Sequence, residues 1–138
     1  MFLTEKELKE AFWSNYNYSN RAIKYQFECE IREGAADLVT IEKYQENYQI
    51  NAFEFKLSDI KKVILQAKAN SKFVTKSWIV VPDEKEELIK NKYYGCIKEN
   101  GIGAITVEAG GRWKMIIKPK YKKELLMNQA IINLMMNG

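Results

Sequence analysis

The sequence predicts a mixed α/β fold, with a central β-sheet flanked by helices on both faces. Three observations predict it: an amphipathic helical pattern opens the chain, three strand-like segments follow, and a second helical pattern leads into the apolar run SWIVVP at 77–82. Such a run is typical of a buried parallel strand, and the helix before it would supply a right-handed crossover. The length of 138 residues predicts a single domain at 1–138.

The first half of the chain is predicted to follow the order α-βββ. Thr4 and Glu7 form a capping-box pattern at the start of LTEKELKEAFW, which predicts a helix. Alternating apolar and polar residues then indicate the strands, and the polar stretch EKYQENYQ indicates a hairpin connection. The strands are predicted at 27–31, 36–41 and 50–57, and the connection at 42–49.

The second half is predicted to add a helix, a strand, short helices, a β-hairpin and a C-terminal helix. Ser58 is expected to cap the first of these helices. Pro82 and Pro119 each follow an apolar run and indicate strand ends. The elements after the strand at 77–82 are predicted at 83–91 and 93–100 (helices), 101–108 and 112–119 (strands) and 121–136 (helix).

The absence of histidine restricts the chemistry that this chain can perform. It excludes Ser-His-Asp and Cys-His hydrolases, and it excludes zinc sites that need histidine ligands. The two cysteines cannot complete a zinc site by themselves. Acid–base or metal chemistry must therefore use Asp, Glu, Lys or Tyr.

The distribution of charged and apolar residues predicts the cellular compartment of the protein and the kinds of partner it can bind. No apolar run approaches the roughly 18 residues of a membrane span, and MFLTEKELKE lacks the apolar centre of a signal peptide. Cys29 and Cys96 are expected to be free, buried thiols. We therefore expect a cytoplasmic protein without a membrane partner, and the net charge of +4 permits a polyanionic one.

One predicted strand carries charges where a buried strand should be apolar. Because side chains alternate across a strand, Phe53 and Phe55 share one face of INAFEFKL, while Ala52, Glu54 and Lys56 share the other. An unpaired buried charge costs several kcal/mol. The second face must therefore be open to water, internally paired or occupied by an ion.

Asp37 adds a third charge to this face. It begins the strand that should pair with INAFEFKL, so it is expected to lie opposite Glu54 and Lys56. Oxygen ligands without nitrogen or sulfur suit Mg²⁺ or Mn²⁺. A metal on Asp37 and Glu54 could polarise a phosphate and lower the pKa of a water, which Lys56 could orient.

Asp37, a gap of sixteen residues and then Glu54-Phe55-Lys56 resemble the motif of the PD-(D/E)XK nuclease superfamily. The resemblance extends over roughly 3–82, includes the order of elements and implies a restriction-endonuclease-like fold. Ala36 replaces the proline of the motif. The resemblance implies that Asp37, Glu54 and the main-chain carbonyl of Phe55 hold the metal and that Lys56 assists the attacking water.

Two helical residues extend the resemblance. Many members place a glutamate on the first helix, and the spacing E-x-E-L-x-x-x-x-W resembles archaeal Holliday-junction resolvases, in which the first glutamate serves. This favours Glu5, and leaves Glu7 and Glu10 as alternatives. Some branches carry a glutamine on the helix after the motif, which Gln66 matches; the alternative is a polar residue at the helix boundary.

Lysines are the candidate contacts to nucleic acid, since they supply sequence-independent phosphate binding. The alternative for most of them is a solvated surface. No recognition module fits in the remaining length, which favours structure-selective cutting or service within a larger nuclease complex. The apolar C-terminal helix suggests a homodimer. The lysines predicted to bind phosphates are Lys61, Lys62, Lys72, Lys76, Lys118 and Lys120.

The sequence therefore predicts a Mg²⁺- or Mn²⁺-dependent endonuclease that hydrolyses DNA phosphodiester bonds, in repair, recombination, restriction or a phage system. RNA is not separated from DNA by these residues. Two alternatives stay open. The protein could be a non-catalytic nucleic-acid-binding or assembly subunit, or Glu54 and Lys56 could be a surface ion pair, which contributes at most about 1 kcal/mol.

Overall fold

A six-stranded mixed sheet forms the centre of the protein, in the order β1-β2-β3-β4-β5-β6. The computed structural model describes residues 1–137. The elements are α1 (Glu5–Tyr16), β1 (Ala22–Cys29), β2 (Ala36–Tyr44), β3 (Asn47–Phe55), α2 (Ile60–Asn70), β4 (Lys76–Pro82), α3 (Glu86–Leu88), α4 (Tyr94–Glu99), β5 (Gly103–Val107), β6 (Trp113–Ile117) and α5 (Gln129–Asn137), with a 3-10 turn at Asp83–Lys85 and a π-helical turn at Ile89–Tyr93.

The strand pairing confirms the prediction of a mixed α/β fold. Strands β1, β2 and β3 form an antiparallel meander. The chain then crosses through α2 into β4, which is parallel to β3, and β5 is parallel to β4. The hairpin partner β6 is antiparallel to β5 and closes the sheet. The order α-βββ-α-β followed by short helices, a hairpin and a final helix is thus the predicted one.

Helices cover both faces of the sheet. On one face, Leu8 and Phe12 of α1 pack against Phe53 and neighbouring strand residues. On the other face, α2 and α4 pack over β4 and β5, with Val63 and Ile97 in one cluster. The helix α5 covers the β1–β3 part of that second face through Ile131 and Leu134, which pack with Ala52 and Val39. The structure thus has a three-layer architecture.

The predicted first strand at 27–31 is wrong, because β1 runs from Ala22 to Cys29. Its earlier start reflects the packing of Tyr25 and Phe27 against Trp13 of α1. Its earlier end follows from the backbone: Glu28 adopts φ +50°, and the amide of Ile31 donates to the carbonyl of Cys29 at 2.8 Å. The chain turns there instead of extending.

The predicted connection at 42–49 is also wrong, because β2 and β3 continue to the pair Tyr44 and Asn47. Only Gln45 and Glu46 form the turn, with Gln45 at φ +56°. The polar residues of this segment predicted a connection, but a strand can contain them because its buried polar group is hydrogen-bonded to neighbouring side chains. The carboxylate of Glu42, which is buried, accepts hydrogen bonds of 2.7 Å from the hydroxyls of Tyr16 and Thr40.

The helix starts are confirmed for α1 and corrected for α2. Thr4 caps α1 by accepting a hydrogen bond from the amide of Glu7 at 3.1 Å. Asp59 caps α2, since its carboxylate accepts from the amide of Lys62 at 3.1 Å, so the prediction of Ser58 is wrong by one residue. An ionised carboxylate at this position also interacts favourably with the helix dipole.

The C-terminal helix is shorter than predicted, since it begins at Gln129 and not at 121. The preceding segment is irregular because its backbone bonds to other elements. The amides of Lys120, Lys122 and Leu126 donate to the carbonyls of Gly101, Thr75 and Lys72 at 2.9, 3.0 and 3.1 Å. In a helix at 121–128 the amide of Leu126 would bond to the carbonyl of Lys122 and lose its contact with Lys72.

Both cysteines are free thiols, and Cys29 is buried as predicted. Cys96 is exposed on α4, so the prediction that it is buried is wrong. Across residues 1–137, no helix is both long enough and apolar enough to cross a membrane.

Candidate active site

Asp37 and Glu54 lie opposite each other on neighbouring strands. The register pairs Leu38 with Phe53, and the antiparallel ladder therefore brings Asp37 level with Glu54. The amide of Asp37 donates to Oε2 of Glu54 at 3.3 Å, and Oδ2 of Asp37 accepts from the amide of Phe55 at 2.8 Å. The predicted convergence of the two carboxylates is thus present in the structure, and the strand backbone holds it.

Glu54 is buried, with 1% of its surface exposed, and three donors converge on one of its oxygens. Oε2 accepts from the amide nitrogen of Asn70 at 2.8 Å and from the guanidinium of Arg32 at 3.2 Å, in addition to the amide of Asp37. Among residues 1–137, no donor reaches Oε1 of Glu54 or Oδ1 of Asp37 within hydrogen-bond distance. Each carboxylate is thus anchored through one oxygen, and the other oxygen is available to a ligand.

Burial, and secondly the nearby charge of Asp37, raise the pKa of Glu54 from 4.5 to about 7. The hydrogen bond from Asn70 and the charge of Arg32 oppose this increase in the pKa. Ionisation of Glu54 therefore costs more free energy in the folded protein than in water, and a bound cation would reduce that cost.

Arg32 and Asn70 belong to this site, and the sequence did not predict them. Arg32 follows β1, and its Nε donates to Oδ1 of Asn70 at 2.6 Å while it pairs with Glu54. Asn70 is the last residue of α2 and is buried. The available signals were weak: Arg32 is one of only three arginines, and Asn70 is a polar residue at a helix end.

Gln66 lies one turn before Asn70 on α2 and is half-buried. Among the residues that the structure describes, the side-chain amide of Asn70, and not that of Gln66, donates to Glu54. The helix after the motif therefore does bring an amide side chain to the carboxylates, but from a position one turn later than the one predicted.

Lys56 pairs with Glu5 of α1, with 3.4 Å between Nζ and Oε2. This contact brings the predicted lysine and the favoured first-helix glutamate together at the edge of the sheet where β3 ends. Glu7 is used differently, because its Oε2 accepts from the amide of Leu3 at 2.8 Å and so stabilises the start of α1. Glu10 lines the same cavity as Glu5.

A cavity of about 480 Å³ lies beside Asp37, between α1 and the strands β1 and β2. Its volume is in the range of pockets that bind ligands. Aromatic and charged residues from four elements surround it, and a molecule in the cavity would contact Asp37. The lining residues are Glu5, Lys6, Lys9, Glu10, Trp13, Phe27, Glu28, Asp37 and Phe55.

The structure divides the predicted phosphate-binding lysines between two edges of the sheet. Lys61 and Lys62 are exposed in the first turn of α2, on the edge where β3 ends. Lys76 begins β4 and pairs with Asn51 of β3. Asn51 lies four residues before Phe55, so Lys76 is about 13 Å along the strand direction from the level of Phe55. Burial lowers the pKa of Lys76.

The other predicted lysines lie near Lys76 and away from the carboxylates. Lys118 follows β6, whose Ile117 pairs with Ala104 near the start of β5. Lys120 donates its amide to Gly101, just before β5, and Lys72 lies in the connection to β4. These lysines therefore lie toward the edge of the sheet where β4 and β5 begin, and not beside Glu54.

The residues present fit a hard divalent cation. Mg²⁺ is commonly held by one or two carboxylates and keeps several waters, so it does not need a closed protein cage. The available oxygens of Asp37 and Glu54, with the main-chain carbonyl of Phe55, match that requirement. No cluster of three or more acidic, histidine or cysteine ligands occurs within residues 1–137, which does not suit a fully protein-ligated metal.

No protein-family model and no curated protein matches the chain. A solved structure described as the SPO1766 protein of unknown function from Silicibacter pomeroyi is similar, with a TM-score of 0.66 and 11% sequence identity. The similarity covers 99% of this chain and 84% of that one. At this identity the similarity indicates a common fold and says nothing about activity.

Proposed function

We propose that the protein is a Mg²⁺- or Mn²⁺-dependent endonuclease of the PD-(D/E)XK superfamily that hydrolyses phosphodiester bonds of DNA. The observation that carries the proposal is the pair of opposed carboxylates, Asp37 and Glu54, each with one oxygen anchored and one available. Two carboxylates held this close in a partly buried site repel each other when both are ionised, and a cation between them would relieve that repulsion.

The topology supports a restriction-endonuclease-like fold. The order α1-β1-β2-β3-α2-β4 and the meander followed by a parallel crossover agree with what the motif resemblance implies. Asp37 lies at the start of β2, Glu54 at the end of β3 and Lys56 just after it, an arrangement that supports the resemblance to the motif. The contact of Lys56 with Glu5 adds the first-helix glutamate.

In this proposal, different residues of the chain bind the cation, contact the attacking water and orient the Glu54 carboxylate. Asp37, Glu54 and the carbonyl of Phe55 would hold the cation, which would supply charge neutralisation and a lowered pKa for water. Lys56 is positioned to donate a hydrogen bond to the attacking water or to a phosphate oxygen, and Glu5 orients Lys56 through their ion pair. Asn70 and Arg32 orient the Glu54 carboxylate through Oε2.

A second candidate function rests on Arg32. Its guanidinium already compensates part of the negative charge of Glu54, so the site tolerates burial without a metal. A non-catalytic nucleic-acid-binding or assembly subunit with the same fold would therefore be physically reasonable. Metal binding distinguishes the two functions.

A homodimer is part of the proposal, because two phosphodiester cuts usually need two active sites. The segment before α5 and the helix itself expose Leu126, Met127, Met135 and Met136. Such an apolar surface supports self-association. Sedimentation velocity at several concentrations would measure it.

The test is calorimetric titration of Mg²⁺ and Mn²⁺ into wild type, Asp37→Asn and Glu54→Gln, beside cleavage of supercoiled DNA, branched DNA and RNA. The control is Glu99→Gln, which removes the same charge from the exposed surface of α4. We expect wild type and the control to bind metal and cut, and both site variants to lose at least about 100-fold in rate. Wild type without metal binding would overturn the proposal in favour of the binding subunit.

A further inference from the structure

Three aromatic side chains pack together beside Asp37, and two of them, Trp13 and Phe27, line the cavity there. Trp13 of α1 lies 4.7 Å from Tyr25 and 5.5 Å from Phe27, between ring centroids, and the two β1 rings are 6.1 Å apart. Trp13 and Phe27 are only partly buried, and Tyr25 is 48% exposed. We refer to Trp13, Tyr25 and Phe27 as the aromatic surface.

The aromatic surface adjoins Asp37, one of the two carboxylates. Phe27 pairs with Leu38, the residue directly after Asp37. Trp13, Phe27 and Asp37 line the same cavity of about 480 Å³. A chain that places a phosphate at Asp37 and Glu54 would therefore bring its neighbouring nucleotide to these rings.

Exposed aromatic faces select for bases that are not paired. In a duplex, the faces of the bases are covered by their neighbours, whereas single-stranded bases stack readily on aromatic side chains. We infer that the cavity and the aromatic surface bind an unpaired nucleotide of the substrate beside the bond to be cut. This inference rests on the proposed nuclease function and specifies its substrate class as single-stranded DNA or a single-stranded branch.

The net negative charge of the cavity makes the binding of a nucleic acid depend on a cation. Four carboxylates and two ammonium groups line it, a net charge of −2, which by itself repels a polyanion. A divalent cation at Asp37 would cancel that charge. Lys9, whose Nζ lies 5.4 Å from the centre of the Phe27 ring, provides a positive group at the aromatic surface itself. Binding of a single strand here should therefore depend on the divalent cation.

The experiment measures affinity by fluorescence anisotropy, so it does not depend on turnover. The probes are a phosphorothioate-linked single-stranded oligonucleotide, which resists hydrolysis, and the blunt duplex of the same sequence, each with Mg²⁺ or with EDTA. The variants are Tyr25→Ala and Tyr25→Trp. The matched control is Tyr18→Ala, since Tyr18 is 88% exposed and is not part of the aromatic surface.

We expect Mg²⁺-dependent binding of the single strand by wild type, a loss of at least about fivefold for Tyr25→Ala, and retained affinity for Tyr25→Trp. Tyr18→Ala should bind like wild type, and Tyr25→Ala should leave duplex affinity unchanged. Equal affinity for the two probes, or equal behaviour of the two alanine variants, would overturn the inference while metal binding and cutting still support a nuclease. Absence of metal binding in the calorimetric test would instead overturn the proposed function.

Discussion

Asp37 and Glu54 fix each other's position through the backbone of β2 and β3. The amide of Asp37 donates to Glu54, and the amide that follows Glu54 donates to Asp37, at 3.3 and 2.8 Å. Strand amides are held by the ladder of the sheet, so neither carboxylate can move away without losing a hydrogen bond. The sheet therefore imposes the repulsion between the two charges, and stability should depend on how that repulsion is relieved.

Glu54→Gln should make the protein more stable at alkaline pH in EDTA. The pKa of Glu54 is raised to about 7 in the folded state, above its ordinary 4.5. Between these values the folded state binds a proton that the unfolded state has lost, so the free energy of unfolding falls as the pH rises. At about pH 8 wild type should have lost up to about 3 kcal/mol, a loss that glutamine avoids.

Urea unfolding from about pH 4 to about pH 8.5 would measure this difference. The free energies of unfolding of wild type and Glu54→Gln should agree to within about 1 kcal/mol at acid pH and separate as the pH rises. Glu99→Gln is the matched control, since its side chain is exposed on α4. A difference that stays constant with pH would mean that Glu54 does not titrate with a raised pKa.

Arg32→Met should destabilise the protein, and more at alkaline pH than at acid pH. Arg32 is the cation that faces Glu54, at 3.2 Å, and its side chain is only 13% exposed. Removing one partner of a buried pair leaves an uncompensated charge, which costs about 3 kcal/mol. At acid pH, Glu54 becomes protonated and the cost shrinks. Added Mg²⁺ should recover part of the loss if the cation binds at the carboxylates.

Arg112→Met is the matched control, because Arg112 is exposed near the β5–β6 turn. Urea unfolding of both variants at about pH 5 and about pH 8, with and without Mg²⁺, would compare them. Equal, pH-independent changes in the two variants would show that the Arg32 contact carries no net stabilisation.

The sequence correctly predicted that Asp37 and Glu54 face each other across the hairpin, even though the predicted strand ends were wrong. The predicted connection at 42–49 and the observed turn at Gln45 and Glu46 have the same midpoint. In an antiparallel hairpin the midpoint sets which residues face each other, so an error in the strand ends left the register intact. Alternation along the strand then gave the correct face.

Arg32 and Asn70 were not predictable, because no local pattern connects them to Glu54. They lie 22 and 16 residues from it in sequence, on a loop and at a helix end. Their contacts depend on how α2 crosses the sheet and how the chain turns after β1. The division of the lysines between two edges has the same cause, since sheet topology, and not sequence spacing, sets it.

Ala35→Gly should stabilise the protein slightly. Ala35 precedes β2 and lies two residues before Asp37, with φ +57°, a conformation that costs an alanine about 1–2 kcal/mol. Glycine removes this strain, but it also makes the unfolded chain more flexible, at a cost of about 0.4–1 kcal/mol. The net gain should be about 0.5 kcal/mol, measured as a higher urea midpoint.

The same substitution at Ala109 is the matched control, since Ala109 is exposed in the β5–β6 turn and its φ is not positive. Ala109→Gly should lose about 0.5–1 kcal/mol, because only the flexibility of the unfolded chain changes. The two alanine-to-glycine changes should therefore shift the urea midpoint in opposite directions. If Ala35→Gly destabilises the protein as much as Ala109→Gly does, the loop before Asp37 stores no backbone strain.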